Sequence, residues 1–212
     1  MSTQALIFYT HPHSRGRVAR WALEETGLPY TTEYLEYGTT MKAPEYLAIN
    51  PMGKVPAVVH RGAVVTETGA VCAYLADAFP DAGLAPAPGD PRRAAYLRWM
   101  FFAAGPVEAA VTAKALNLLA PAERAGMAGY GSFEQMVDAL EGAVASADPW
   151  LCGEQFTAAD VYLGAQVIWG LQFKTLPQRE AFAAYAARLT ARDAYRRAAA
   201  ADDALIPPAP QA

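Results

Sequence analysis

The chain has 212 residues, enough for one or two domains. Its residues are 53% hydrophobic and 18% charged, yet no uncharged apolar run approaches the roughly 18 residues a bilayer requires, so a core is available and a membrane span is excluded. A net charge of −4 without a basic cluster excludes a nucleic-acid partner, which would need a concentrated positive footprint.

Met1-Ser2-Thr3-Gln4 has no basic region followed by an apolar core and a cleavage site, which reads as a cytosolic chain. Ala5 to Tyr9 is a compact apolar run that suits a buried first strand, ending in Thr10-His11-Pro12-His13-Ser14. From Ser14 to Glu25 the positions of Val18, Trp21 and Ala22 follow helical spacing, and Gly27 stands where a C′ residue belongs. Tyr30 to Tyr37 alternates in part and predicts a second strand, completing a βαβ unit. Gly38 to Asn50 reads as an irregular connection.

Asn50-Pro51-Met52-Gly53 is turn chemistry, since Pro51 fixes φ and Gly53 supplies φ > 0. It delivers the chain into a strand from Val55 to His60 whose second residue is proline. Proline cannot donate to a ladder, so Pro56 belongs to a strand end, and a cis Val55–Pro56 bond is one way to place it there. Either way Val55 presents backbone groups that the sheet does not use and an extended peptide ligand can pair with. Gly62 turns the chain into Ala63 to Thr66 as a hairpin. Glu67 opens a helix that buries Val71, Tyr74, Leu75 and Ala78 and closes at Pro80.

Asp81 to Pro91 holds three prolines and two glycines and reads as a linker, so the expected domains are 1–81 and 91–212. Asp90 caps a helix with Pro91 at N1, running through Tyr96, Trp99 and Met100 to Val107 with a kink at Gly105-Pro106. Phe133 to Ala147 is a second helix, ended by Asp148-Pro149. Phe156-Thr157-Ala158-Ala159-Asp160-Val161 is a capping box in which Asp replaces the usual Glu or Gln, and its role is folding. Thr190-Ala191-Arg192-Asp193 starts a last helix, and the tail from Pro207 is too proline-rich to pack. Cys72 and Cys152 lie in apolar segments, which predicts buried, reduced thiols. His11, His13 and His60 are too scattered for a metal site, so no metal is expected.

Asn50 to Val58 resembles the Asn-Pro-x-Gly-Lys/Gln-Val-Pro segment of the glutathione S-transferases. Tyr9 to Glu25, Glu67 to Leu75 and Phe156 to Leu163 resemble further segments of that family in the same order. The resemblance, to cytosolic, bacterial-like members, implies an α/β thioredoxin-like N-terminal domain followed by an all-α C-terminal helical domain. It implies a cis proline at Pro56 and binding of the cysteinyl backbone of glutathione by Val55. Glu67 and Thr68 would hold the γ-glutamyl group, Thr68 on the carboxylate and Glu67 on the ammonium. Lys54 would approach the glycyl carboxylate, with Lys42 a second candidate.

The thiol has two candidate partners. His11-Pro12-His13-Ser14 resembles the turn of serine-type members, in which the serine hydrogen-bonds the thiolate; aligning Arg20-Trp21 with tyrosine-type members instead puts Tyr9 in that role. Ser14 at a helix start has the added favour of the helix dipole. Lowering a thiol pKa from near 8.5 by about two units needs roughly 2.7 kcal/mol, most of which one charge-assisted hydrogen bond and a helix N-terminus supply. Thr10, His11 and His13 are further donors nearby.

The expected function is therefore a cytoplasmic glutathione transferase of detoxification type. Glutathione is its substrate, and the helical domain contributes the site of a hydrophobic electrophile. Phe101, Phe102, Trp169 and Phe173 are aromatic candidates there that stay unassigned. A glutathione-dependent oxidoreductase or peroxidase would need a cysteine where the chain has Ser14. A noncatalytic glutathione- or ligand-binding protein is the other alternative, because a fold alone does not fix activity. The resemblance and the low charge of the helices after the linker imply a homodimer.

Overall fold

A compact apolar run makes β1, Leu6–Thr10, an inner strand of a four-stranded sheet in the order β2-β1-β3-β4 in the computed structural model, which describes residues 6–206. Met1 to Ala5 and the tail from Pro207 lie outside the described residues. β2, Thr31–Tyr34, runs parallel to β1; β3, Ala57–His60, and β4, Ala63–Thr66, continue the sheet antiparallel. Because side chains alternate across a strand, Leu6, Phe8 and Thr10 are buried on one face, while Ile7 and Tyr9 are half-buried on the other.

α1, Gly16–Thr26, covers the buried face and stops at Gly27, whose φ of 68° is the left-handed cap that the sequence predicts. The βαβ unit and the β3–β4 hairpin form as expected. Arg61 and Gly62 turn the hairpin with φ of 53° and 78°, the pair of positive values that matches strand twist in a two-residue loop.

Three details differ from the sequence reading. β2 is half its expected length: the Leu35 N–H makes a last bond to β1, at the Thr10 carbonyl, and the next N–H, of Glu36, goes instead to Thr40 Oγ1, so the chain leaves the sheet there. The irregular connection contains a 3₁₀ turn, Thr40–Lys42, and a one-turn helix α2, Pro44–Leu47, with proline at its start. β3 begins at Ala57, not Val55, because Pro56 has no N–H to give a ladder.

α3, Thr68–Ala78, buries Val71, Cys72 and Leu75, and Tyr74 meets His60 Nδ1 at 2.9 Å. α9, Asp193–Asp203, completes this first compact unit, which runs to Ala82 and takes the chain back from Arg192. The sequence reading carries the helical half to the chain end, but the charges of α9 find their complement on α1. Arg20, 3% exposed, meets Asp202, 0% exposed, at 2.9 Å. Arg192 grips both carboxylate oxygens of Glu25 at 2.7 Å, Arg197 bonds Glu24 at 2.9 Å, and Tyr195 packs edge-on to Trp21. Burial and the Asp202 carboxylate act in opposite directions on the Arg20 guanidinium, which stays charged. It also donates to the hydroxyls of Tyr30, Thr32 and Tyr34, which spreads its charge over several acceptors.

The second unit, Gly83–Ala191, is helical. Its first residues are part of it: Leu84 is buried and its carbonyl takes the Ala158 N–H at 2.8 Å. Asp90 accepts the Arg92 N–H at 2.8 Å at the start of α4, Arg92–Phe102, and the Arg92 side chain pulls the Asp90 carboxyl down to about 2. Pro106 is absorbed in a π-helical turn, Ala103–Val107, that passes into α5, Glu108–Ala115. α6, Phe133–Ala145, starts with a reciprocal Ser132–Gln135 cap.

α7, Ala158–Gln172, is buried along most of its length. Its cap is the hub of the unit. The Asp160 carboxylate accepts from the N–H groups of Leu151 and Thr157 (both 2.9 Å), from the Thr157 hydroxyl (3.1 Å), and from the Tyr185 phenol (2.7 Å) on α8, Glu180–Thr190. Gly164 lets Leu189 of α8 approach so closely that a Cβ would overlap it, as Gly170 does for Leu176. No helix among the described residues is long and apolar enough to cross a membrane.

Candidate functional site

The strand register gathers the candidate residues. Tyr9 stands opposite Ala57, and Ala57 opposite Thr66, across three neighbouring strands. The residues just outside those positions therefore share one end of the sheet: Thr10 at the end of β1 with His11 to Ser14 after it, Val55-Pro56 before β3, and Glu67-Thr68 after β4. Glu33 joins them from β2, opposite Tyr9.

Asn50, 4% exposed, builds the turn before β3. Its carbonyl takes the Gly53 N–H at 2.8 Å, its Oδ1 the Met52 N–H at 3.1 Å, and its Nδ2 donates to the Lys54 carbonyl at 2.7 Å. The Tyr46 hydroxyl donates to the same Lys54 carbonyl at 2.6 Å; burial pushes that phenol up to about 12, so it stays a donor at any ordinary pH. The Val55–Pro56 bond is cis. Among the described residues the Val55 N–H and C=O have no hydrogen-bond partner. Lys42, read from sequence as a second ligand cation, places Nζ 3.0 Å from the Met52 carbonyl and 2.9 Å from that of Gly53, fastening the turn. Gly53 has φ of 56° and faces the Met41 carbonyl so closely that no side chain fits. Lys54 is exposed.

Glu67 holds φ of 66° and ψ of 121°, a conformation costing about 1–3 kcal/mol in a residue with a Cβ. Its carbonyl takes the Val71 N–H at 2.8 Å, but its side chain makes no cap hydrogen bond. Thr68 is 7% exposed. Among the described residues the N–H groups of Thr68, Gly69 and Ala70 have no acceptor, which leaves the start of this eleven-residue helix open to an anion.

Ser14 lies two residues before α1, half-buried. Its hydroxyl donates to the His11 carbonyl at 2.7 Å and accepts the Gly16 N–H at 2.9 Å. His11 is engaged in the same turn: Nδ1 accepts the His13 N–H at 3.1 Å, Nε2 is 3.6 Å from Glu36, and the ring packs on Tyr37. Tyr9 points to the opposite face of the sheet from Phe8 and Thr10, its ring 5.5 Å from that of Tyr46. Burial, and next the charge of Glu33, push its phenol up. The same Glu33 charge also opposes any thiolate beside Tyr9.

Cys72 and Cys152 are both buried and free. Burial pushes the Cys72 thiol up to about 12 and the Cys152 thiol in the same direction, so neither is a nucleophile at neutral pH. The arrangement as a whole offers an unpaired strip of main chain between two helix starts. That suits an extended, peptide-like molecule ending in a carboxylate.

A family model for the N-terminal domain of glutathione S-transferases matches residues 4–77, and one for their C-terminal domain matches residues 108–169. Glutathione S-transferase GstA of Escherichia coli O157:H7 is 29% identical over 162 residues, 74% of this chain and 78% of that protein. Two further relatives, 38% and 40% identical, match over only 30% and 37% of their own lengths. The crystal structure of a glutathione transferase from Methylococcus capsulatus superposes with a TM-score of 0.78 at 29% identity, covering 95% of this chain and all of that one. A sphingomonad glutathione S-transferase complexed with glutathione gives 0.74 at 28% identity, over 93% of this chain and 98% of that one.

Proposed function

Because this chain belongs to the glutathione S-transferase family, we propose that it binds glutathione at the described end of the sheet and transfers it to a hydrophobic electrophile. The observation that carries the reading is the unpaired Val55 main chain beside the open start of α3. In this reading Val55 pairs with the cysteinyl main chain. Thr68 and the neighbouring N–H groups receive the γ-glutamyl carboxylate, Glu67 the ammonium, and exposed Lys54 the glycyl carboxylate. Pro56 fixes the direction of the strip. The strain at Glu67 supports its role, since a glutamate held at positive φ with no side-chain cap bond has its carboxylate aimed by the backbone.

Ser14 turns its proton from the His11 carbonyl to the glutathione sulfur and holds it as thiolate near the start of α1. The thiolate sulfur then attacks an electrophilic carbon as the leaving group departs with its electron pair, and the thiol proton goes to solvent. The buried thiols and the serine at position 14 weigh against an oxidoreductase or peroxidase. Titration calorimetry with glutathione, combined with a spectrophotometric assay on a generic aryl halide, tests the reading. Saturable binding and steady conjugation are expected, and no binding at millimolar glutathione would end it.

One observation favours a second reading, a glutathione-binding protein without turnover: the Ser14 proton already has a good acceptor in His11. Binding without conjugation in the same pair of assays would decide for it. We also place the protein in the cytoplasm as a homodimer. Leu97 and Phe101, one turn apart on α4 and 43% and 72% exposed, support self-association as an apolar pair to cover. Sedimentation should give a dimer at micromolar concentration, and a monomer there would remove this part.

A further inference from the structure

Beneath the Ser14 turn is a hydroxyl the proposed reaction has not used. Thr10 is 0% exposed, and its Oγ1 is buried with no hydrogen-bond partner among the described residues. A buried hydroxyl left in that state destabilises the fold, since its hydration is lost with nothing in return. Its location is defined by Gly16. A Cβ on that glycine would overlap Thr10 Oγ1 and lie 2.9 Å from Ser14 Oγ, so both hydroxyls converge on the same point beside the first residue of α1. Only glycine leaves that point empty.

We propose that Thr10 is a positioning residue for the Ser14 hydroxyl, donating to Ser14 Oγ when Ser14 turns its own proton to a thiolate. The inference rests on the reading of Ser14 as the thiolate's partner. The donor count makes it specific. Ser14 has one proton, now on the His11 carbonyl, and two acceptor positions, one filled by the Gly16 N–H. When the proton swings to sulfur, the oxygen rotates and its second acceptor position becomes available to the neighbouring donor. Thr10 Oγ1–H has no competing acceptor to leave. A donor to Ser14 Oγ polarises its O–H and strengthens the bond to sulfur, because chained hydrogen bonds reinforce one another. Thr10 is therefore unsatisfied in the thiol state and satisfied in the thiolate state, and the difference favours ionisation.

The test uses the full chain and the ultraviolet absorbance of the thiolate of bound glutathione, titrated against pH. Thr10→Val keeps the shape and removes the hydroxyl. The apparent thiol pKa should rise by about half a unit, roughly a threefold loss of thiolate near neutrality, while thermal stability is unchanged or higher because the orphan hydroxyl is gone. Thr10→Ser should restore the parent titration. In an Ser14→Ala background, Thr10→Val should add nothing. Thr10→Ala, which also lacks the hydroxyl, must move the titration the same way. An unmoved titration in Thr10→Val, with the parent showing a clear thiolate band below the pKa of free glutathione, overturns the proposal alone. So does a shift that simply adds to that of Ser14→Ala. A parent without that band overturns the reading of Ser14 as well.

Discussion

An Asp160→Ala chain should lose about 3–5 kcal/mol of stability, the largest effect of any single change discussed. Asp160 is 0% exposed and accepts four donors from three parts of the second unit: the 150s turn, the start of α7, and Tyr185 of α8. Alanine leaves the N–H groups of Leu151 and Thr157, the Thr157 hydroxyl and the Tyr185 phenol without that acceptor, all in a region water does not reach. Urea unfolding followed by circular dichroism measures the loss, and a change below about 1 kcal/mol would refute the hub role. Acid should not mimic it. Burial pushes the Asp160 carboxyl up despite its donors, so its folded pKa exceeds its unfolded one. Between those two values the folded chain holds the proton more tightly, and lowering the pH stabilises it through this group.

The second large effect concerns Ser14. Ser14→Ala should raise the pKa of bound glutathione by about one unit and slow conjugation about tenfold at neutral pH, with little change in glutathione affinity. A hydrogen bond to a charged group contributes about 1.5–3 kcal/mol, but Ser14 must give up its 2.7 Å bond to the His11 carbonyl to make it, so only the difference is gained. The same substitution removes the acceptor of the Gly16 N–H, a loss of about 0.5–2 kcal/mol at the helix start that thermal unfolding would register. Tyr9→Phe should leave the thiol titration almost unmoved, because Tyr9 packs on Tyr46 and faces Glu33. A larger shift in Tyr9→Phe than in Ser14→Ala would assign the thiolate to tyrosine.

The contrast between these residues shows what a sequence can disclose. The Asn50 to Gly53 turn, the Gly62 hairpin and the Thr157–Asp160 cap were legible because each is fixed by residues close together in the sequence, through a local side-chain bond or a glycine's positive φ. α2 was not: four residues carry no periodicity. α8 follows Arg179, which gives no side-chain cap, so no start signal marks it. Ser14 could be placed at a helix start, but not the fate of its proton, which depends on the fold of the 11–14 turn. Nothing in the letters at Glu67 announces a positive φ, since that conformation is usual for glycine and asparagine. Thr10 shows the same limit, as an orphan hydroxyl exists only once everything around it is in place. The docking of α9 on α1 depends on charges 167 to 186 positions apart, which no local window contains.

That docking also orders events on the ribosome. β1, α1 and the sheet leave the exit tunnel before the second unit, yet the face of α1 that carries Arg20, Trp21, Glu24 and Glu25 waits for residues made after the whole of Gly83–Ala191. At typical elongation rates of about 5–20 residues per second the wait is on the order of 10–40 s. When Gly83–Ala191 is complete, the first unit still lacks α9. The unit begun earlier is thus the unit finished later, and it is sealed by a helix made only after the other unit is complete.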